Sequence, residues 1–326
     1  MKQRTWKLGL TLLAGTALLA LGACGKQGTD KAAKDTLTIG VLQQVEHGSL
    51  DAAYAGFVEG LAEAGYTDGE NITIDFQNAQ GSQDQLKSIS EKLVKSKVDL
   101  LLGIATPAGQ SLLNETSEIP IVVTAVTDLE SAKLVDSNEK PGGNLTGTSD
   151  MVPIEKQIAL LLSVIDAPKT IGIMYNAGEA NSKIQADLAK AALEKSGVTV
   201  KEAVANSTND VQQVATSLAK DVDGIYIPTD NTFASAMAIV GDVAKEHNIP
   251  VVAGSVEMVE DGGLTTFGID YQALGKQTGK MAARILKEGE NPGEMAIETS
   301  EDLKLVVNED MAKALGIDPS SIQAPK

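Results

Sequence analysis

From Thr36 onward, short apolar runs rich in Val and Ile alternate with longer stretches whose apolar residues recur every three or four positions. Parallel strands need a long crossover, usually a helix, so this alternation commits the chain to a βαβ-built α/β architecture. It predicts strands over 37–42, 72–76, 98–104 and 119–123, with helices between them through Leu50–Leu61 and Leu86–Leu93. The run 98–104 is almost continuously apolar, as a strand covered on both faces should be. A turn-rich stretch, 138–144 (NEKPGGN), interrupts the pattern, which then restarts. Strands are expected over 169–175, 198–204, 225–227, 250–252, 264–269 and 303–307. Helices are expected over 184–193, 211–218, 233–247, 274–286 and 311–315.

The two halves echo one another. Val98-Asp99 opens a strand ending at Thr106-Pro107, and a helix then leads to Ile119-Pro120-Ile121-Val122. Val222-Asp223 opens a strand ending at Thr229-Asp230, and a helix leads to Ile249-Pro250-Val251-Val252. Thr106 and Asp230 each lie seven residues past the aspartate of their unit. Two similar lobes follow, and ligands of open α/β sheets bind outside the carboxyl ends of the strands. Face to face, the lobes would set Thr106 and Asp230 on opposite walls of one cleft.

A length of 326 residues suits two such domains, and 43% hydrophobic against 22% charged residues is ordinary globular usage. The net charge of −17 is a poor match for nucleic-acid phosphates or an anionic lipid surface. The N-terminus has its own logic. Lys2, Arg4 and Lys7 precede an apolar run, 8–21, that is too short for a comfortable membrane span, and Leu21-Gly22-Ala23 then meets Cys24. This is the layout of an export signal over 1–23. Its removal would take the charge from −17 to −20 and carry away Trp6, the one tryptophan. Cys24 is the sole cysteine and cannot form an internal disulfide. Leu21-Gly22-Ala23-Cys24 resembles a bacterial lipobox, in which the thiol is acylated, and the polar segment 24–35 reads as a flexible tether.

No catalytic signature stands out. The chain has no phosphate-binding G-x-x-x-x-G-K-[ST] loop, no zinc motif and no G-x-S-x-G elbow, and His47 and His247 sit in no base-catalysis motif. The glycines of 142–147 (GGNLTG) read as a turn. No cofactor or metal is expected.

What remains is a set of polar residues at expected strand ends. Gln43 and His47 follow the first strand, Thr106 the third, and Thr127 with Asp128 the fourth, while Ser149 stands next to last in the stretch 141–150. In the second half Tyr175, Asn176, Glu179, Asn181 and Ser182 follow one strand, Asp230 and Asn231 another, and Asp270 a third. Each alone could simply cap the next helix. Gathered at one end of both sheets, they make a ligand site in which helix N–H groups hold a carboxylate and an aspartate holds an ammonium.

At these residues the chain resembles the ABC-importer substrate-binding lipoproteins, a family that includes tryptophan-binding members. The matching stretches are 43–60 (QQVEHGSLDAAYAGFVEG), 105–108 (ATPA), 125–128 (AVTD), 141–150 (PGGNLTGTSD), 174–182 (MYNAGEANS), 228–231 (PTDN) and 268–275 (GIDYQALG). The resemblance implies a type I periplasmic-binding-protein-like α/β fold, with two Rossmann-like lobes closing on a ligand cleft. It assigns 36–148 and 264–290 to the N-terminal lobe, and 149–263 and 291–326 to the C-terminal lobe. It implies a monomeric, lipid-anchored, extracytoplasmic receptor that binds an amino acid, tryptophan or another aromatic, and hands it to a permease driven by a separate ATPase. The carboxylate would then fall to Thr106, Thr127 and the helix after Thr106. The ammonium would fall to Asp230 or Glu179, oriented by Asn181 and Ser182. Two other readings share this fold: a surface enzyme using Glu179 or Asp230 as a base, and a solute sensor that does not transport.

Overall fold

The computed structural model describes residues 36–300 and 303–325. The expected signal peptide, Cys24 and the tether lie outside the described residues. The first series of elements is β1 (Leu37–Gln43), α1 (Gly48–Glu63), β2 (Ile72–Asn78), α2 (Gln83–Lys95), β3 (Leu100–Ile104), α3 (Thr106–Glu115), β4 (Ile121–Val126) and β5 (Leu145–Ser149). The second is α4 (Ile154–Ser163), β6 (Thr170–Tyr175), α5 (Ala180–Lys195), β7 (Thr199–Val204), α6 (Val211–Ala219), β8 (Gly224–Ile227), α7 (Asn231–Ala234), α8 (Met237–His247), β9 (Val251–Ala253), α9 (Val256–Glu260) and β10 (Thr265–Ile269). The chain closes with α10 (Tyr271–Glu288), β11 (Glu298–Thr299), β12 (Leu303–Val307) and α11 (Glu309–Ala314).

Two six-stranded sheets result, ordered β11-β5-β4-β3-β1-β2 and β12-β10-β9-β8-β6-β7. The strand pairs are parallel except β10 with β12. The orders are counterparts, with β1 and β6 each between the strand that follows and the strand after that. The repeated aspartates also do the same work. Asp99 Oδ2 accepts the Thr38 N–H at 2.7 Å, and Asp223 Oδ2 accepts those of Lys169 and Thr170 at 2.7 and 2.8 Å, so each ties its strand to the start of a neighbour. Seven residues on, each strand has run its length and delivers Thr106 or Asp230 at its carboxyl end. Every residue of β3, β4, β5, β8 and β9 is buried, as strands covered on both faces by crossover helices must be.

Three expectations need correction. The return to the first lobe, expected at Leu264, comes later: β10 pairs with β9 and β12 in the second sheet, and the chain rejoins the first lobe with α10, which packs on α1. The short strand β11 then extends the first sheet beside β5, so 291–299 does not belong to the second lobe. The GGNLTG stretch is a turn only at its start, because Leu145, Thr146 and Gly147 are already strand β5.

The α1–α10 contact rests on glycines. A Cβ on Gly56 would lie 1.9 Å from the Gln272 carbonyl oxygen, and one on Gly275 would lie 1.9 Å from that of Ala53. Backbone meets backbone there, which only glycine permits.

Candidate functional site

Both sheets turn their switch points, β1/β3 and β6/β8, toward one seam, where the loops after these strands meet. Side chains cross it. His47 Nε2 lies 3.3 Å from Asn231 Oδ1, and Thr127 Oγ1 lies 3.4 Å from Thr229 Oγ1. Gln185 Nε2 donates to Thr127 Oγ1 at 3.2 Å. Ser49 Oγ lies 2.9 Å from Ser255 Oγ and donates to Glu257 at 2.9 Å. The two lobes are therefore closed on each other.

Behind the seam is an inner cavity of only about 10 Å3, lined by His47, Leu50, Ala125, Asp150, Asn181, Asp230, Met258 and Tyr271 among others. Outside it opens a polar cleft of about 980 Å3 with Gln44, Pro107 and Gln110 on one side and Asn176, Glu179 and Asn231 on the other. Two alanines are strained here. Ala105, between β3 and α3, has φ 80° and ψ 156°, and Ala125 near the end of β4 has φ 55°. Such conformations cost a non-glycine residue about 1–3 kcal/mol and cluster where a site must be shaped.

Among the described residues, the buried side-chain polar atoms without a partner also gather here. They are Oε1 of Gln43 and Gln44, Nδ1 of His47, Oγ1 of Thr106, Oδ1 of Asp150 and Oδ1 of Asn181; His247 Nε2 is the exception, on α8. Buried polar groups are normally paired, so their concentration at the strand ends marks groups held ready for something else.

Asp230 is spent differently from the expectation. Its carboxylate accepts the Asn176 N–H at 2.6 Å and caps α7 through the Phe233 N–H at 2.8 Å. Glu179 accepts from Asn231 Nδ2 and, at 3.0 Å, from Thr232 Oγ1. Burial, reinforced by the charge of Asp230, pushes Glu179 up to about 7, and burial raises Asp230 as well. Asp150 is the better-placed acid. It is buried just past β5 and takes a hydrogen bond from Tyr271 Oη on one oxygen, leaving the other unpartnered within the cavity wall. Burial raises its pKa too, while the hydrogen bond from Tyr271 holds it down. Burial drives His47 the other way, down to about 4, so the ring is neutral at neutral pH.

The structure thus brings His47, Asn181, Asp230 and Asn231 to the inner cavity, and Asn176 and Glu179 to the outer cleft. Thr106, Thr127, Ser149 and Ser182 are buried beside them. Ser149 Oγ donates to the Thr127 carbonyl at 2.7 Å, fixing the crossing between lobes. Gln43 Nε2 ties β1 to Asp51 of α1 at 2.7 Å. Gln43 and those four line neither cavity themselves, and three further expected residues, also outside both, are engaged elsewhere. Asp128 folds back on Ser131, at 3.1 and 2.6 Å to its N–H and Oγ. Asp270 caps α10 and pairs with Lys304 at 2.7 Å. Tyr175 points its hydroxyl to Glu202 at 2.8 Å, within the second lobe. Sequence reasoning did not single out Asp150, Thr229, Gln185, Ser255, Met258 or Tyr271 as site residues. The one signal for Asp150 was its place at the end of the 141–150 stretch.

A two-lobed α/β binding fold with a seam of this kind defines a class of solute receptors, and comparison with known proteins places the chain within it. The chain belongs to the ABC transporter substrate binding protein family, whose model matches residues 38–322. It is 41% identical over 308 residues, 94% of this chain and 89% of the relative, to a tyrosine-binding protein of Clostridioides difficile (strain R20291). Among solved structures it is similar to the ABC domain from Streptococcus pneumoniae in complex with L-Trp, at 39% identity and a TM-score of 0.84, covering 89% of this chain and 98% of that one. It is also similar to the ligand-free, open structure of a substrate binding protein with adhesive properties from Clostridium difficile. There the identity is 46% and the TM-score 0.67, covering 86% of this chain and 95% of that one.

Proposed function

We propose that the chain is the lipid-anchored, extracytoplasmic receptor of an importer for an aromatic amino acid, tryptophan or tyrosine. It closes its lobes on the free zwitterion and presents it unchanged to a membrane permease powered by a separate ATPase. The observation that carries the reading is the set of unpartnered polar atoms at the strand ends of both lobes. Asp150 Oδ1 and Asn181 Oδ1 are acceptors suited to an ammonium, in place of Asp230, whose oxygens are taken. The Thr106 hydroxyl at the start of α3 is a donor suited to the carboxylate, at the positive end of the helix dipole. Leu50, Ala125, Ala234 and Met258 supply an apolar wall for a ring. The ligands named for the C. difficile and S. pneumoniae relatives support an aromatic amino acid. The higher TM-score to the L-Trp complex than to the open, more identical structure supports closure as the bound arrangement.

The test is a titration of L-tryptophan and L-tyrosine into the chain lacking residues 1–23. That chain has no tryptophan of its own, so indole emission reports the ligand alone. A saturable change competed by L-tyrosine, with the ligand recovered unchanged, is expected. No change in folded protein stripped of copurified ligand overturns the aromatic assignment. For the anchor, mass spectrometry of the membrane-bound chain is expected to find diacylglycerol on Cys24, and Cys24→Ala to release the protein.

A further inference from the structure

One unpartnered atom is not needed by the ligand's charged groups. His47 precedes α1 and lines the inner cavity beside Leu50, Ala234 and Met258; its Nδ1 is buried with no partner. What that nitrogen can do is set by a chain of contacts. Glu179 accepts from Asn231 Nδ2, which fixes the orientation of the Asn231 amide and turns its Oδ1 toward His47. An amide oxygen only accepts, so His47 Nε2 carries the proton. The ring is neutral, so Nδ1 is a lone-pair acceptor. The polar neighbours on that wall are otherwise engaged, Ser49 and Ser255 being bonded to each other and to Glu257.

We propose that His47 is the specificity-determining residue for the ligand's ring. Its Nδ1 accepts a hydrogen bond from an indole N–H or a phenol O–H, so the site takes aromatic amino acids bearing a ring donor and rejects phenylalanine. This rests on the aromatic amino-acid reading and sharpens it. Glu179 and Asn231 act as positioning residues that hold the ring in the accepting tautomer. A site built to hydrogen-bond a ligand group discriminates strongly against the analogue lacking it, because its own buried atom is then left unpaired.

Calorimetric titration with four ligands tests this: L-tryptophan, L-tyrosine, L-phenylalanine and 3-benzothienyl-L-alanine, which replaces the indole N–H with sulfur at nearly the same shape. Benzothienylalanine is expected to bind about 10- to 100-fold more weakly than tryptophan, and phenylalanine more weakly than tyrosine by a similar factor. In His47→Phe the tryptophan-to-benzothienylalanine ratio falls toward one. In Asn231→Leu it narrows with His47 intact, a change that a merely structural role would not produce. If wild-type protein binds benzothienylalanine and phenylalanine within threefold of their donor-bearing counterparts, the proposal is overturned and the aromatic reading stands. If neither tryptophan nor tyrosine binds, both fall. Should a variant fail to fold, the wild-type ligand series decides alone.

Discussion

Asp150 and Asp230 line the same inner cavity as buried carboxylates, and what separates them is how their oxygens are spent. Asp230 gives both oxygens to backbone N–H groups of its own lobe, so Asp230→Asn is expected to act on folding. Loss of the α7 cap and of the tie to Asn176 should cost about 1–3 kcal/mol in chemical denaturation, with any ligand affinity changed less. Asp150 keeps one oxygen unpartnered, so Asp150→Asn should act on binding. Truncating one side of a buried charged hydrogen bond costs about 2–5 kcal/mol, a loss of at least thirtyfold by calorimetry. If the two variants exchange these effects, the ammonium belongs to Asp230 after all. The sequence could show that Asp, Asn and Thr crowd the strand ends, because those residue types both cap helices and bind ligands. Which oxygens the fold itself consumes depends on where the next loop arrives, and spacing along the chain carries no record of that. Tyr175 and Asp270 misled for the same reason: each stands at a strand end, but its partner, Glu202 or Lys304, comes from another strand of the second sheet.

At the scale of elements, the backbone contact of α1 with α10 is the least forgiving interface. Gly56→Ala or Gly275→Ala would force the helices apart, and a loss of about 1–3 kcal/mol or more is expected in thermal or urea unfolding. Ala105→Gly should do the reverse. It relieves a conformation that glycine adopts freely, so stability should rise by about 1 kcal/mol; a decrease would mean that the methyl group packs for more than its strain. Most elements were legible because their apolar pattern is strong, β1, β3, β6 and α2 among them. The expected helix 233–247 is in fact α7 and α8, broken around Ser235 and Ala236, since an apolar pattern that continues across a short break looks unbroken. Strand β5 was hidden by the glycines beside it. The placement of β10 was missed because sequence order does not say which of two similar sheets a strand will join.

For the whole molecule, pH should reveal two opposed groups. His47 sits near 4 in the folded chain against an ordinary 6.5, so the stability associated with its neutral form is present above 6.5 and is lost as pH falls toward 4. Glu179 sits near 7 against 4.5, so its contribution is fully present below 4.5 and is lost as pH rises through 7. Between about 4.5 and 6.5 the two slopes, each at most about 1.4 kcal/mol per pH unit, run against each other. The raised Asp150, Asp230 and Glu257 add to the Glu179 side, so denaturant midpoints of the wild type should fall little toward acid there. Glu179→Gln should steepen the fall in stability toward acid, and His47→Phe should make it shallower; a His47→Phe curve parallel to the wild type would mean that His47 is not held neutral. Small-angle scattering at saturating ligand should report the compact shape in which His47 meets Asn231 and Ser49 meets Ser255.

The seam has a consequence in time as well. With the lobes shut, the side chains that cross the seam bar the way. Escape then waits on the receptor rather than on the guest. Occupants of quite unequal affinity would share one slowest clock, the frequency with which the lobes part, and a membrane partner that prises them open would discharge each of them at the same pace.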